Sequence, residues 1–312
     1  MRAMLLVNPK ATTTNSRRRD VLIRALGAAV DLTVEETAYR GHAAALAGTA
    51  CEKGYDVVAI LGGDGTINEA VNGILVTDAD PETRPALIVI PGGSANVFAR
   101  ALGLPNDPVE ATGAALEALR EDRRRSVGLG QAIWEDQSRY FTFCSGLGFD
   151  AEVVRAVEGL RGAGRKATPA RYVNTAVRHY MATDKRHPAM TLTGPGIPTE
   201  EGIFMAIISN VSPWTYVGTR PVAPTPWASF ETGLDLLGLE RMGLFSMGSL
   251  IRQVLTERDS LPSGRHLVQL HDEPEFTLTA DRPMAFELDG DYLGERESVT
   301  FRSTPNALQV LV

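Results

Sequence analysis

The sequence predicts an α/β chain of two domains: a Rossmann-like N-terminal domain with a parallel sheet, and a C-terminal antiparallel β-sandwich. Three observations carry this. Over the first 120 residues, short uninterrupted apolar runs alternate with helical segments, the pattern of a parallel sheet covered on both faces. Each unusual loop of that region, at 8–9, 62–66 and 91–96, lies at the carboxyl end of its strand, the edge where open α/β sheets take ligands. After Arg123–Arg125 the alternation stops, and strand-like runs follow one another through loops rich in Gly and Pro.

Taken in order, Ala3–Val7 is a strand, Arg17–Ala29 a helix and Leu32–Glu36 a strand. His42–Lys53 is an alanine-rich helix closed by Gly54. Val57–Leu61 is a strand followed by a helix over Thr66–Leu75. Ala86–Ile90 is a strand that runs through Pro-Gly-Gly-Ser into a helix from Asn96. The first domain is expected over 1–125 and the second over 126–302, with 303–312 returning as a strand to complete the first. That return would place an inter-domain cleft beside the glycine-rich loops. Second-domain strands are expected at 126–133, 139–145, 189–193, 202–210, 234–238, 266–271, 275–280, 284–289 and 298–302. Helices interrupt them near 150–158, 168–183 and 246–257.

Composition narrows the classes of function. The chain has 312 residues, enough for two domains of typical size, and its 44 % hydrophobic and 22 % charged content is that of a soluble globular protein. Two cysteines, Cys51 and Cys144, make no disulfide framework or metal cluster, as suits a reducing cytoplasm. The N-terminal apolar stretch ends at Pro9 and reads as a first strand rather than a signal peptide. No apolar run approaches the roughly 18–20 residues that cross a bilayer, so any membrane contact is expected to be peripheral. A net charge of −7 argues against nucleic acid as a partner. A basic stretch, Arg161 to Arg186, interleaves seven Lys or Arg with apolar residues and, if helical, suits an anionic membrane surface.

The most informative segment is Gly62–Glu69, GGDGTINE, directly after a buried-type strand. Gly62, Gly63 and Gly65 open the turn around the Asp64 carboxylate, and the following helix aims its positive end at the same spot. Asp64 is thereby suited to hold Mg²⁺ against the phosphates of a nucleotide, directly or through water. Thr66 can bind a phosphate oxygen or cap its helix, and Glu69 is expected at the nucleotide with the rest of this loop or, with Thr66, as a capping box. Gly92, Gly93, Ser94 and Asn96 form a second phosphate- or ribose-facing turn, and Asn8 either pins that turn or touches the nucleotide. The segment is neither a Walker A loop nor a dinucleotide fingerprint, and the G-x-S-x-G nucleophile elbow does not occur. Phosphoryl transfer is the chemistry that fits, and it needs a base. Asp289 and Asp291, flanking Gly290, are either that base or an ordinary hairpin turn.

GGDGTINE, Asn8–Pro9, PGGSANVFA at 91–99, GLGFDAEV at 146–153 and Asp-Gly-Asp at 289–291 together resemble the diacylglycerol kinase catalytic-domain family, soluble bacterial lipid kinases related to sphingosine and ceramide kinases. The first of these motifs is shared with NAD kinases. The resemblance implies a nucleotide-binding first domain, a second domain that helps form the lipid site, and ATP with Mg²⁺ as cofactors. It implies nucleotide contacts from Thr37 and Ser94, Asp291 as the general base, and a second magnesium held by Glu231 with the carbonyls of Ala228 and Gly233. As partners it implies a lipid alcohol at a membrane surface, peripheral association on the inner face of the membrane, and a homodimer as an option. Three positions depart from the pattern: Val97 replaces an aspartate, Asp291 is one methylene shorter than the usual glutamate, and Glu231 stands at an aspartate position. The expected activity is ATP-dependent phosphorylation of diacylglycerol or a related lipid alcohol. The alternatives are a degenerate nucleotide-binding regulator and a kinase for a soluble acceptor such as NAD. Phe204, Trp214, Tyr216, Trp227 and Phe230 are available to line an apolar slot.

Overall fold

The structure is a computed structural model that describes all residues except 10, 12–15, 78–79, 163–186, 242 and 257–259. The chain divides into two compact units, Met1–Gly128 with Asn306–Val312, and Leu129–Pro305.

In the first unit, β1 (Arg2–Val7), β2 (Asp31–Glu36), β3 (Val57–Gly62) and β4 (Ala86–Pro91) lie in the order β2-β1-β3-β4, all parallel. Every residue of β3 and β4 is buried, which is why both read as unbroken apolar runs. The end of the chain adds a parallel strand beside β4, with Val310 opposite Leu87. Helices α1 (Ser16–Gly27) and α5 (Pro108–Glu121) pack Leu22, Leu26, Ala115 and Ala118 on one sheet face, against Leu5, Ala59 and Ile88. Helices α2 (His42–Glu52) and α3 (Asp64–Leu75) pair closely. A methyl on Gly73 would lie 2.7 Å from the Ala44 Cα, so their approach depends on that glycine and on the alanines of α2.

The helix expected from Asn96 is two helices. The short α4 (Val97–Ala101) stops at Gly103, which has a φ of +82°. Helix α5 starts afresh with Pro108 in its first turn, and Asp107 accepts hydrogen bonds from the Val109 and Glu110 amides.

The second unit is built from antiparallel strands. In chain order they are β5 (Arg124–Trp134), whose first residues belong to the first unit, β6 (Gln137–Phe141), β7 (Cys144–Gly148), β8 (Met190–Gly194), β9 (Ile197–Ile203) and β10 (Met205–Ser209). Then come β11 (Thr215–Val217), β12 (Arg220–Val222), β13 (Leu234–Leu239), β14 (Leu267–Glu273), β15 (Glu275–Leu288) and β16 (Asp291–Leu311), which ends in the first unit. The order is β14-β13-β10-β7-β15-β16. Strand β15 pairs with β8 through Thr277–Ala280 and with β7 through Phe286–Leu288, so one strand serves two parts of the sheet around a shared aromatic core. Trp134, Phe141, Phe276, Phe286 and Phe301 fill that core. Helices α6 (Phe149–Gly162) and α7 (Leu244–Val254) lie over another face, where Phe149, Met247 and Leu250 meet Ile207, Leu237 and Leu239.

Several boundaries differ from expectation. The run 139–145 is two strands broken at Thr142–Phe143, whose amides are taken by a side chain described below. The runs 275–280 and 284–289 are one strand with a register shift between Thr279 and Met284, where Pro283 cannot donate to a ladder. The runs 298–302 and 307–312 are likewise one strand, β16. The expected helix 168–183 and nearly all of the basic stretch lie outside the described residues.

Candidate active site

Within the first unit, the carboxyl ends of four neighbouring parallel strands carry Asn8, Thr37, Gly62–Thr66 and Gly92–Asn96. The two glycine-rich turns lie against each other. The Gly92 amide donates to the Gly62 carbonyl at 2.7 Å, and a methyl on Gly93 would be 2.8 Å from the Gly63 Cα. None of Gly62, Gly63 and Gly65 has a positive φ. Gly63 serves close approach of backbone to backbone, and a methyl on Gly62 would meet the Thr66 side chain; neither is there for an unusual turn conformation.

The helix after the first turn starts at Asp64 rather than Thr66, with Gly63 as its N-cap. Asp64 therefore sits in the first turn of α3, where the helix dipole favours a negative charge. Its Oδ1 accepts from the Phe98 amide at 3.2 Å, tying the first turn to the start of α4. Because the helix begins earlier, Thr66 and Glu69 form no capping box. The Glu69 carboxylate instead accepts from the Gly41 and Ala43 amides at 2.8 and 3.2 Å and caps α2. Asn8 pins the first turn: its Nδ2 donates to Thr66 Oγ1 at 3.0 Å, which leaves the threonine proton for another acceptor.

Asn96 is buried in the left-handed region, φ +49°. Its amide group accepts from the Gly93 amide and donates to the Gly93 carbonyl and to Asn106 Oδ1. It thus braces the second turn from within, whereas Ser94 is exposed on it. Val97 is buried at the start of α4. Thr37 follows β2, with its amide and hydroxyl both directed to the Val7 carbonyl.

Within the second unit, Asp289 and Asp291 separate sharply. Asp289 is buried, and its carboxylate accepts from the amides of Thr142, Phe143 and Cys144 and from the Thr142 hydroxyl, at 2.7 to 3.1 Å. It is the side chain that breaks the strand at 142–143. Asp291 begins β16 half-exposed, with Arg139 Nη2 3.6 Å from Oδ2. Two carboxyl groups passed over in the sequence, Asp150 and Glu287, are buried nearby in the same unit. Burial pushes Asp150 up to about 7. Burial and the Asp150 charge push Glu287 well above the ordinary range. Asp150 lies inside the quoted motif GLGFDAEV, whereas Glu287 alternates with the core residues Phe286 and Leu288, so strand parity gave no signal of its burial.

At the proposed second magnesium position, Ala228 is buried and its carbonyl accepts from the Ser212 amide at 2.9 Å. Glu231 is exposed, and the Gly233 amide donates to Asp272 Oδ1 at 2.6 Å. His271 Nδ1 lies 2.9 Å from the buried Asp235, whose carboxyl burial pushes up. Among the described residues no group of three or more His, Cys, Asp or Glu side chains is placed to hold a metal. Phe204 and Phe230 are core residues and Trp214 packs on a core cluster, while Trp227 is 45 % exposed against His271.

Residues 2–132 match the family model of the diacylglycerol kinase catalytic domain. That domain is present in this chain. Over 277 residues the chain is 29 % identical to a probable lipid kinase YegS-like of Chromohalobacter salexigens, covering 88 % of this chain and 81 % of that protein. With a diacylglycerol kinase of Staphylococcus saprophyticus it shares 36 % over 142 residues, 45 % of this chain and 43 % of that one. A solved diacylglycerol kinase structure from Bacillus anthracis str. Sterne has the same fold, with a TM-score of 0.72 at 18 % identity over 99 % of this chain and 96 % of that one. An NAD kinase from Archaeoglobus fulgidus, solved with ATP, resembles it more distantly, at a TM-score of 0.52 and 13 % identity over 100 % and 94 % of the two chains. By this domain the chain is a kinase of the lipid-kinase type. Both glycine-rich turns fall inside the diacylglycerol kinase catalytic domain, and Asp291 lies beyond it.

Proposed function

We propose that this protein transfers the γ-phosphoryl group of ATP to a hydroxyl of diacylglycerol or a related lipid alcohol. The observation that carries the nucleotide half is the close backbone contact of two glycine-rich turns at neighbouring strand ends, with Asp64 of the first bonded to the Phe98 amide in the helix that follows the second. The lipid half rests on the domain match and the named relatives. Phosphoryl transfer asks for positioning and charge neutralisation, and little covalent chemistry of the protein. Asp64 would hold a Mg²⁺ that arrives with the phosphates: this ion commonly takes one or two carboxylates and completes its shell with phosphate oxygens and water. When bound, Mg²⁺ neutralises phosphate charge. The Thr66 hydroxyl and the positive end of α3 face the same strand edge as Asp64 and suit phosphate oxygens. Asn96 and Asn8 hold the two turns rather than the nucleotide. Asp291 takes the proton of the acceptor hydroxyl, with the Arg139 guanidinium beside it. Glu231 with the Ala228 and Gly233 carbonyls is an all-oxygen set suited to a second hard cation, with a structural role.

The protein is proposed to meet its lipid as a peripheral cytoplasmic enzyme, as its resemblance to the bacterial lipid kinases implies; no helix among the described residues is long and apolar enough to cross a membrane. Transfer of γ-labelled phosphate into diacylglycerol micelles tests the reading. Label that enters NAD but no lipid overturns the lipid half.

A further inference from the structure

We propose that Asp150 and Glu287 share one proton, and that the protonated pair positions Asp291 through the hydrogen bond from the Gly290 amide to Glu287. The second clause rests on the reading of Asp291 as the base; the first stands by itself.

Glu287 on β15 is paired with Gly146 on β7, and Asp150 enters from the first turn of α6. The two carboxyl groups converge over that glycine. A methyl there would collide with Asp150 Oδ2 and lie 3.0 Å from Glu287 Oε1. Only a residue without a side chain leaves room for both. Asp150 Oδ2 is buried with no hydrogen-bond partner, an expensive state for an ionised oxygen and an ordinary one for a group that carries or meets a proton. The other Glu287 oxygen, Oε2, accepts from the Gly290 amide at 2.7 Å. That amide is the centre of the turn that ends in Asp291.

Among the described residues, no cation is among the groups that shift the pair. From β7 comes the Cys144 thiol, 4.0 Å from Glu287 Oε1. From the turn come Asp289, held by four donors, and Asp291, engaged by Arg139 of β6. The next strand, β10, reads Met-Ala-Ile-Ile-Ser and contributes nothing titratable. Two buried acids with acidic neighbours keep one proton between them and titrate as a unit. Burial accordingly raises both, Asp150 to about 7. An acid whose folded pKa is raised binds its proton more tightly in the folded state. Stability from the pair is therefore full below the ordinary carboxyl range and lost as pH rises through about 7.

Infrared titration of the purified protein tests the proton. A protonated-carboxyl stretch that fades as pH rises through about 7, and that the Asp150→Asn, Glu287→Gln double variant lacks, is expected. A wild-type spectrum indistinguishable from that variant between about pH 5 and 9 overturns the sharing. Kinetics test the positioning. Glu287→Ala should lower kcat at least about 10-fold with KM for ATP unchanged, and Glu287→Gln should restore most of it, because its amide oxygen still accepts from Gly290. Full kcat in Glu287→Ala, or equal losses in Ala and Gln variants, overturns the positioning. Should Asp291→Ala itself keep full activity, the positioning claim falls with the base reading, while the infrared result still decides the proton.

Discussion

The Asp64 carboxylate has one oxygen fixed by the Phe98 amide and sits at the positive end of α3. Asparagine keeps the acceptor and loses the charge. Asp64→Asn should therefore fold with an unchanged melting temperature and retain less than about a tenth of wild-type kcat at saturating Mg²⁺. Higher retention would remove Asp64 from catalysis. The turn before Asp291 is held by Asp289 and Glu287. Asp291→Ala should lower kcat about 10²–10⁴-fold with little change in ATP affinity, and equal activity in both proteins between about pH 6 and 9 would reduce the turn to a connection. The sequence showed two aspartates around one glycine. It had no means to say that one is a buried brace, because that depends on amides at Thr142–Cys144, more than a hundred residues away.

At the scale of elements, the contact of the two turns is the feature most open to a test by one methyl. Gly93→Ala places a Cβ 2.8 Å from the Gly63 backbone, which cannot swing aside. It should cost about 1–3 kcal/mol of stability and weaken nucleotide binding as well. Gly113→Ala, in α5 with nothing within 4 Å, should instead stabilise by about 0.5–1 kcal/mol in the same denaturant titration. Equal effects would mean that the turns do not touch. The parallel strands were legible because both their faces are covered, so their apolar runs are unbroken. Helix starts were less legible: a glycine N-cap at 63 carries no side-chain signal, and the Thr66–Glu69 spacing imitated a box whose glutamate caps a different helix. Strand breaks in the second unit depended on long-range partners and stayed hidden, as did the inward-facing Asp150 and Glu287.

At the scale of the molecule, α/β order followed by antiparallel strands was readable from periodicity alone, and the family motifs fall in chain order along it. The net charge of −7 leaves the stretch from Arg161 to Arg186 as the strongest local basic feature of the sequence. If it brings the enzyme to anionic bilayers, reversing Arg171, Arg178 and Lys185 to glutamate should reduce sedimentation with anionic vesicles, most at low salt, where screening is weakest. Unchanged sedimentation would assign membrane contact elsewhere.

The central claim is the identity of the acceptor, and one assay addresses it directly. γ-Labelled ATP and Mg²⁺ are supplied with diacylglycerol, monoacylglycerol, a sphingoid base, phosphatidylglycerol or NAD in the same mixed micelles, with Asp64→Asn as the blank. Label is expected in a lipid product, with diacylglycerol or a close lipid alcohol as the best acceptor and none in the blank. Label confined to NAD, or no transfer to any acceptor by a protein that still binds ATP, would contradict it.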